Sequence, residues 1–224
     1  MTAVEYALNY AKQIAYSSKE TLLSTHKSAL EMRNRRGVFI ECGVAAGAQI
    51  IMMAAAAPEK MIYAFDSFQG IPLPSNKDDQ YPGIRKISKE EQSNLPQPGE
   101  QILESSGATV VSEETFWEHV NKSGVGTKNI KTVPGWFEHT TKMFGSMHTQ
   151  IALLRLDGDL YNSTKVCLEN LYPRVVSGGI VIIDDWALPG CQQAVCDYFK
   201  SIGAFFQMQF YGHVDSQIAY FYKP

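Results

Sequence analysis

Residues 151–186 read IALLRLDGDLYNSTKVCLENLYPRVVSGGIVIIDDW. Two short apolar runs stand in this stretch, Ile151–Leu156 and Ile180–Ile183. Neither alternates apolar with polar, so each is expected to be buried on both faces, as strands of a parallel sheet are. Between them Ser163–Leu171 has helical spacing, with Val166, Leu168 and Leu171 apolar. Pro173 and the Gly178–Gly179 pair are expected to break the chain before the second strand. The stretch is a βαβ unit. Asp157 and Asp159 follow the first strand, and Asp184 and Asp185 follow the second. Parallel neighbours point the same way, so all four acids should meet at the carboxyl edge of the sheet, where open α/β folds bind ligands.

Four carboxylates gathered there require a cause. Two like charges about 4 Å apart at an effective dielectric of about 20 repel by roughly 4 kcal/mol. Either some of the acids are protonated or a cation sits among them. A hard divalent cation such as Mg²⁺ prefers oxygen ligands and keeps waters in its shell. The pattern predicts Asp157, Asp184 and Asp185 as metal ligands, with Asp159 left over as a base. The blander alternative has Asp157 and Asp159 capping the following helix while Asp185 faces water.

A second βαβ unit lies upstream. Gly37–Gly43 (GVFIECG) is a buried strand and its turn, Val44–Ala57 a helix stopped by Pro58, and Met61–Asp66 the next strand. A glycine turn with an acid at the end of the second strand is a nucleotide-binding arrangement. Gly43 and Gly47 would let the backbone approach a ligand at the helix N-terminus. Their spacing is GxxxG, which lacks the inner glycine that makes room for a pyrophosphate. Glu41 places a negative charge where phosphate would otherwise lie. The pattern suits a cofactor with an amine and a ribose, and S-adenosylmethionine fits. Glu41 could face its amino group or order waters, and Asp66 could accept from the ribose hydroxyls. A plain tight turn is the alternative.

The rest of the chain frames these units. At 224 residues, 45% of them hydrophobic, one domain is expected. Residues 3–16 and about 17–35 are two helices, the second opened by a capping box at Ser17-Ser18-Lys19-Glu20. This N-terminal helical cap (1–36) could cover one face, form a lid or supply a homodimer surface. Ser67 to about Gly107 is proline-rich and irregular, and its stretch 69–107 is expected to be either a flap over the site or a disordered insertion. Ser112 opens a helix through His119, and Asn129–Val133 is a strand ending at Pro134-Gly135-Trp136. Trp136 could line the adenine pocket or the substrate mouth, or pack in the core. A helix over Cys191–Lys200 and an antiparallel hairpin, Ala204–Tyr211 with Gln217–Tyr222, close the chain.

The net charge of −3 gives no nucleic-acid footprint and no polybasic membrane patch. No apolar run reaches the roughly 18 residues of a membrane span. The N-terminus lacks the apolar core of a signal peptide. Cys42, Cys167, Cys191 and Cys196 form no close CxxC pair, so free thiols in a reducing cytoplasm are expected.

The stretches FIECGVAAGA, FDSFQGIPLP, PGWFEHT, LLRLDGDLYNST, LYPRVVSGGIVIIDDW and GCQQAVCDYF together resemble the macrocin O-methyltransferase (TylF-type) family over roughly residues 37–210. The resemblance implies an α/β class I methyltransferase (Rossmann-like) fold: a mainly parallel sheet closed by an antiparallel hairpin. It implies S-adenosylmethionine and a divalent metal, usually Mg²⁺, and hydroxyl acceptors on the sugars of antibiotics and other natural products. It puts the metal on Asp157, Asp184 and Asp185, and suggests Asp159 as base. The expected cofactor wall is Glu41, Gly43, Val44, Gly47, Asp66, Ser67, Phe68, Ser112, Trp136 and Asp157. Two stretches depart from the family pattern: the part before Gly37 is short, and Asn76–Gln101 is unlike the usual sequence.

His139, His148 and His213 are other candidate bases, each expected to serve at the surface or in packing instead. Two rival functions follow from the same residues. Asp157-Gly158-Asp159 is a DxD, which in glycosyltransferases holds a metal and a sugar nucleotide. A non-catalytic methyltransferase-like module is the other.

Overall fold

The computed structural model describes residues 1–78, 103–211 and 218–224. Its core is a seven-stranded sheet in the order β3-β2-β1-β4-β5-β7-β6. The strands are β1 (Val38–Cys42), β2 (Ile62–Asp66), β3 (Ile130–Pro134), β4 (Ile151–Leu156), β5 (Val175–Ile183), β6 (Gln209–Phe210) and β7 (Ala219–Tyr222). β1 to β5 are mutually parallel, while β7 runs antiparallel to both β5 and β6. The chain moves outward from β1 to β3, then returns to β4 on the other side of β1. That reversal opens a crevice at the carboxyl ends of β1 and β4.

Helices cover both faces. On one lie α1 (Ala3–Ile14), α2 (Lys19–Met32), α3 (Ala48–Ala56) and α4 (Glu113–Lys122), whose Ala11, Leu22, Ile50 and Phe116 share a core with Phe39, Leu153 and Ile182 of the sheet. On the other lie α5 (Phe137–Gly145), α6 (Tyr161–Leu171) and α7 (Pro189–Ser201), packed on Ile40, Cys42, Leu154, Leu156 and Ile183. Strand residues alternate between faces. Glu41 and Arg155 therefore point to the α1–α4 face, and they are register partners across β1 and β4. Of the three roles open to the N-terminal helices, covering a face is the one seen: Ala7, Ala11, Leu22, Ala29 and Met32 join the common core.

Several boundaries differ from expectation for local reasons. The expected helix over 44–57 starts only at Ala48, because Ala45 (φ 42°) and Gly47 (φ 89°) take left-handed conformations that a right-handed helix cannot include. Ser18, not Ser17, caps α2 by accepting from the Thr21 N–H, so the reciprocal box with Glu20 does not form. A reciprocal box does form at α1, between Thr2 and Glu5. The Gly178–Gly179 pair does not break the chain. It lies inside β5, where Gly178 N–H donates to the Lys223 carbonyl and Gly179 accepts from Lys223 N–H. In the aromatic run at 204–211 the paired strand is Gln209–Phe210, and Tyr211 N–H donates to the Ile218 carbonyl; Ala204, Phe206 and Met208 instead pack on the α5–α7 core. Part of the expected 69–107 flap falls outside the described residues. Its two ends pair with each other through Leu73 N–H to the Glu104 carbonyl and Ser106 N–H to the Ile71 carbonyl.

Candidate active site

The strand ends continue the ladder into the loops that carry the acids. Asp157 N–H donates to the Cys42 carbonyl (2.8 Å), and Asp184 N–H to the Leu156 carbonyl (2.9 Å). This register brings carboxylate oxygens of Asp157, Asp184 and Asp185 within 4.8 Å of one another. The cluster is built around Arg155, which the sequence reading overlooked. Its Nη1 donates to Glu41 Oε1 (2.7 Å) and Asp157 Oδ2 (2.6 Å), and its Nη2 to Asp184 Oδ1 (2.5 Å). Burial works against the guanidinium charge, but Asp184, Asp157 and Glu41 hold it protonated. A signal was present: one charged residue inside the doubly buried run IALLRL cannot be left unpaired.

One guanidinium does not balance Glu41, Asp157, Asp159, Asp184 and Asp185. Burial, against the pull of Arg155, pushes Glu41 up to about 8. Burial, with repulsion from Asp157, raises Asp159 to about 7. Asp184 also rises to about 7 through burial, and Asp185 goes well above the ordinary carboxylate value for the same first cause. The site is therefore short of positive charge. Asp157, Asp184 and Asp185 each spend one oxygen on a protein donor, the last accepting Asp159 N–H at 2.8 Å. Their clustered oxygens form a hard donor set that fits a divalent cation such as Mg²⁺.

The capping alternative fails. Helix α6 has Leu160 at its N-cap with no side-chain bond, and Tyr161 N–H is met by Asp78 Oδ1 from a distant turn. Nor does Asp185 merely face water, since it accepts Asp159 N–H. Asp159 itself sits at φ 59° on the wall of the cavity.

The cavity has a volume of about 1350 Å³ and spans the crevice. Of the residues expected to face a cofactor, Glu41, Gly43, Val44, Asp66, Ser67, Trp136 and Asp157 line it. Glu41 Oε2 is buried with no partner among the described residues. Gly43 (φ 90°) is required because a Cβ there would overlap the Asp157 carbonyl oxygen. Asp66 departs from its expected role in part. Oδ2 accepts Val44 and Ala45 N–H (2.8 and 3.0 Å) and Oδ1 accepts Phe68 N–H (2.8 Å). It thus braces the glycine turn, leaving about one of a carboxylate's four acceptor sites for a ligand.

Three other expected contacts lie off the cavity wall. Gly47 is needed for close packing, since a Cβ there would stand 2.9 Å from the Phe116 ring. Phe68 packs its ring against Phe116. Ser112 caps α4, accepting Thr115 N–H at 3.1 Å, and is exposed. The wall instead includes Glu138, whose Oε1 is buried without a partner among the described residues. His139 and His148 are exposed and off the wall, with His148 Nδ1 bonded to the Ser146 carbonyl; His213 falls outside the described residues. The four cysteines are free thiols.

The same cavity is also lined by Tyr16, Ser18, Thr21, Ser24 and Lys27, and by Tyr211, whose hydroxyl bonds Ser28 of α2. One space is thus walled by a nucleotide-type turn, the acidic cluster and a polar helix face.

The family described as Macrocin-O-methyltransferase (TylF) matches residues 22–223. This chain belongs to that family. Among its relatives is the 8-demethyl-8-(2,3-dimethoxy-alpha-L-rhamnosyl)-tetracenomycin-C 4'-O-methyltransferase of Streptomyces olivaceus, 33% identical over 72% of this chain and 58% of the relative. The chain spans between 58% and 60% of the length of the curated relatives it matches. The O-methyltransferase NovP superposes with a TM-score of 0.71 at 27% identity, covering 94% of this chain and 82% of NovP. The MycE methyltransferase of the mycinamycin pathway, solved with Mg and SAH, shares the fold at a TM-score of 0.55 and 15% identity, over 99% of this chain and 54% of MycE. The TylF-family chain thus has the class I methyltransferase fold. No helix among the described residues is long and apolar enough to cross a membrane.

Proposed function

We propose that this TylF-family chain is an S-adenosylmethionine-dependent O-methyltransferase that uses a divalent cation, Mg²⁺, and methylates a hydroxyl of a sugar or natural-product acceptor. One observation carries the reading: three aspartates share a pocket of oxygen ligands at the switch point, beside a glycine turn and a buried glutamate with a free oxygen.

The chain's residues divide the work. Glu41 offers Oε2 to the ammonium of the donor's methionine part. Gly43 and Val44 bring the turn backbone against it, with Ser67 and Trp136 along the same wall. Asp157, Asp184 and Asp185 would hold the cation. A bound divalent cation supplies Lewis acidity that eases deprotonation of a hydroxyl and fixes it beside the sulfonium methyl. Asp159, on the cavity wall beside the trio, is placed to accept that proton. A vicinal diol, with two oxygens, suits the cluster best. The part of the cavity walled by α2 leaves room for the acceptor. In this reading the protein works in the cytoplasm on a small molecule, without nucleic-acid or membrane partners, and any self-association is as a homodimer.

The test is methyl transfer from labelled S-adenosylmethionine to vicinal-diol glycosides or catechols, with Mg²⁺ and with EDTA. Transfer that EDTA abolishes supports the reading; full activity in EDTA defeats the metal role. Thermal shift separates the sugar-nucleotide rival: S-adenosylmethionine should stabilise the protein, and a sugar nucleotide should not.

A further inference from the structure

We propose that Arg155 is a positioning residue that ties the donor-binding acid to the cation-binding acids, so that one guanidinium sets the geometry of both. The inference rests on the function proposed above.

Arg155 stands on the strand between Glu41 of β1 and the end of β5. Its fork spans the two sides: Nη1 is shared by Glu41 and Asp157, and Nη2 holds Asp184. The side chain is wholly buried, so no water substitutes for these bonds. Each carboxylate it grips keeps a second oxygen that the guanidinium does not hold. Glu41 Oε2 is left buried and unpartnered, and Asp157 and Asp184 are left as members of the aspartate trio. Rotation of any of these acids is therefore limited by the same group. A lysine keeps the charge but presents a compact ammonium in place of a planar fork. Its three donors radiate from one atom, so it does not reproduce a fork whose two nitrogens reach acids carried by three strands. Residues that orient ligating carboxylates typically cost about 10–100-fold in metal affinity when changed.

The experiment measures Mn²⁺ affinity by electron paramagnetic resonance and S-adenosylhomocysteine affinity by calorimetry, each without the other ligand. Both are measured where circular dichroism shows each variant folded, so that a loss of stability alone does not move them. Wild type failing to bind either ligand would defeat the proposed function itself. Given wild-type binding, Glu41→Gln should weaken S-adenosylhomocysteine about 10-fold or more and leave Mn²⁺ within about threefold, because Arg155 still holds Asp157 and Asp184. Asp184→Asn should do the converse. Arg155→Lys should weaken both ligands about 10-fold or more. If it weakens only one, or neither, Arg155 does not join the two halves. Should Arg155→Lys fail to fold, the comparison moves to Glu41→Gln against Glu41→Gln/Arg155→Met. The double variant should bind Mn²⁺ about 10-fold more weakly than the single one. Equal affinities would overturn the proposal.

Discussion

Asp159 and Asp185 are joined by a backbone bond, yet their expected duties differ. Asp159 N–H holds Asp185 Oδ2, while its own carboxyl stands outside the aspartate trio. The backbone at Asp159 is left-handed at φ 59°, a conformation asparagine tolerates better than alanine does. Asp159→Asn therefore tests the base without disturbing the turn. It should lower kcat by about 10²–10⁴-fold, the range for a general base. Mn²⁺ affinity should stay near wild type. Equal loss of both would make Asp159 a ligand. The acids were legible in the sequence because each follows an apolar run, which fixes its place at the sheet edge. Arg155 was not, because repulsion among acids is relieved as well by an external cation or a proton as by a guanidinium within the strand. Glu138 was missed for another reason: a helical acid shows nothing in its spacing that says it faces a cavity.

At the scale of elements, the parallel strands and the closing antiparallel pair were readable from hydrophobic runs and breakers, while the order of strands across the sheet was not. Helix starts were less so, because they depend on tertiary bonds. Asp66 and the left-handed Gly47 delay α3, and Asp78 meets the first turn of α6 from far along the chain. Ser112 shows the same limit. Its place near a nucleotide-type turn points to the cofactor, but its hydroxyl accepts Thr115 N–H at the start of α4. Ser112→Ala should cost about 1 kcal/mol of stability, as loss of an N-cap does. Affinity for S-adenosylmethionine should be unchanged. Denaturant unfolding and calorimetry together check this; a weakened cofactor with unaltered stability would return Ser112 to the ligand wall.

The whole molecule carries the electrostatic cost of its site. In metal-free protein, Glu41 rises to about 8 and Asp159 and Asp184 to about 7, in each case chiefly through burial. A carboxyl whose folded value lies above its unfolded one binds more protons when folded. Its contribution is complete below the ordinary values of 4.5 for Glu and 3.8 for Asp, and is lost as pH climbs through the raised ones. With EDTA present, the unfolding midpoint should therefore fall between about pH 5 and pH 8, over the window these shifts define. Mg²⁺ binds the ionised acids, so its stabilising effect should be largest at the alkaline end. A midpoint that rises with pH in EDTA would show that Arg155 alone neutralises the cluster.

The most direct measurement is anomalous diffraction from crystals grown with Mn²⁺ and S-adenosylhomocysteine. The account predicts one strong peak bonded to oxygens of Asp157, Asp184 and Asp185, with the homocysteine amine against Glu41. A peak elsewhere, or aspartates turned apart with no ion between them, would contradict it.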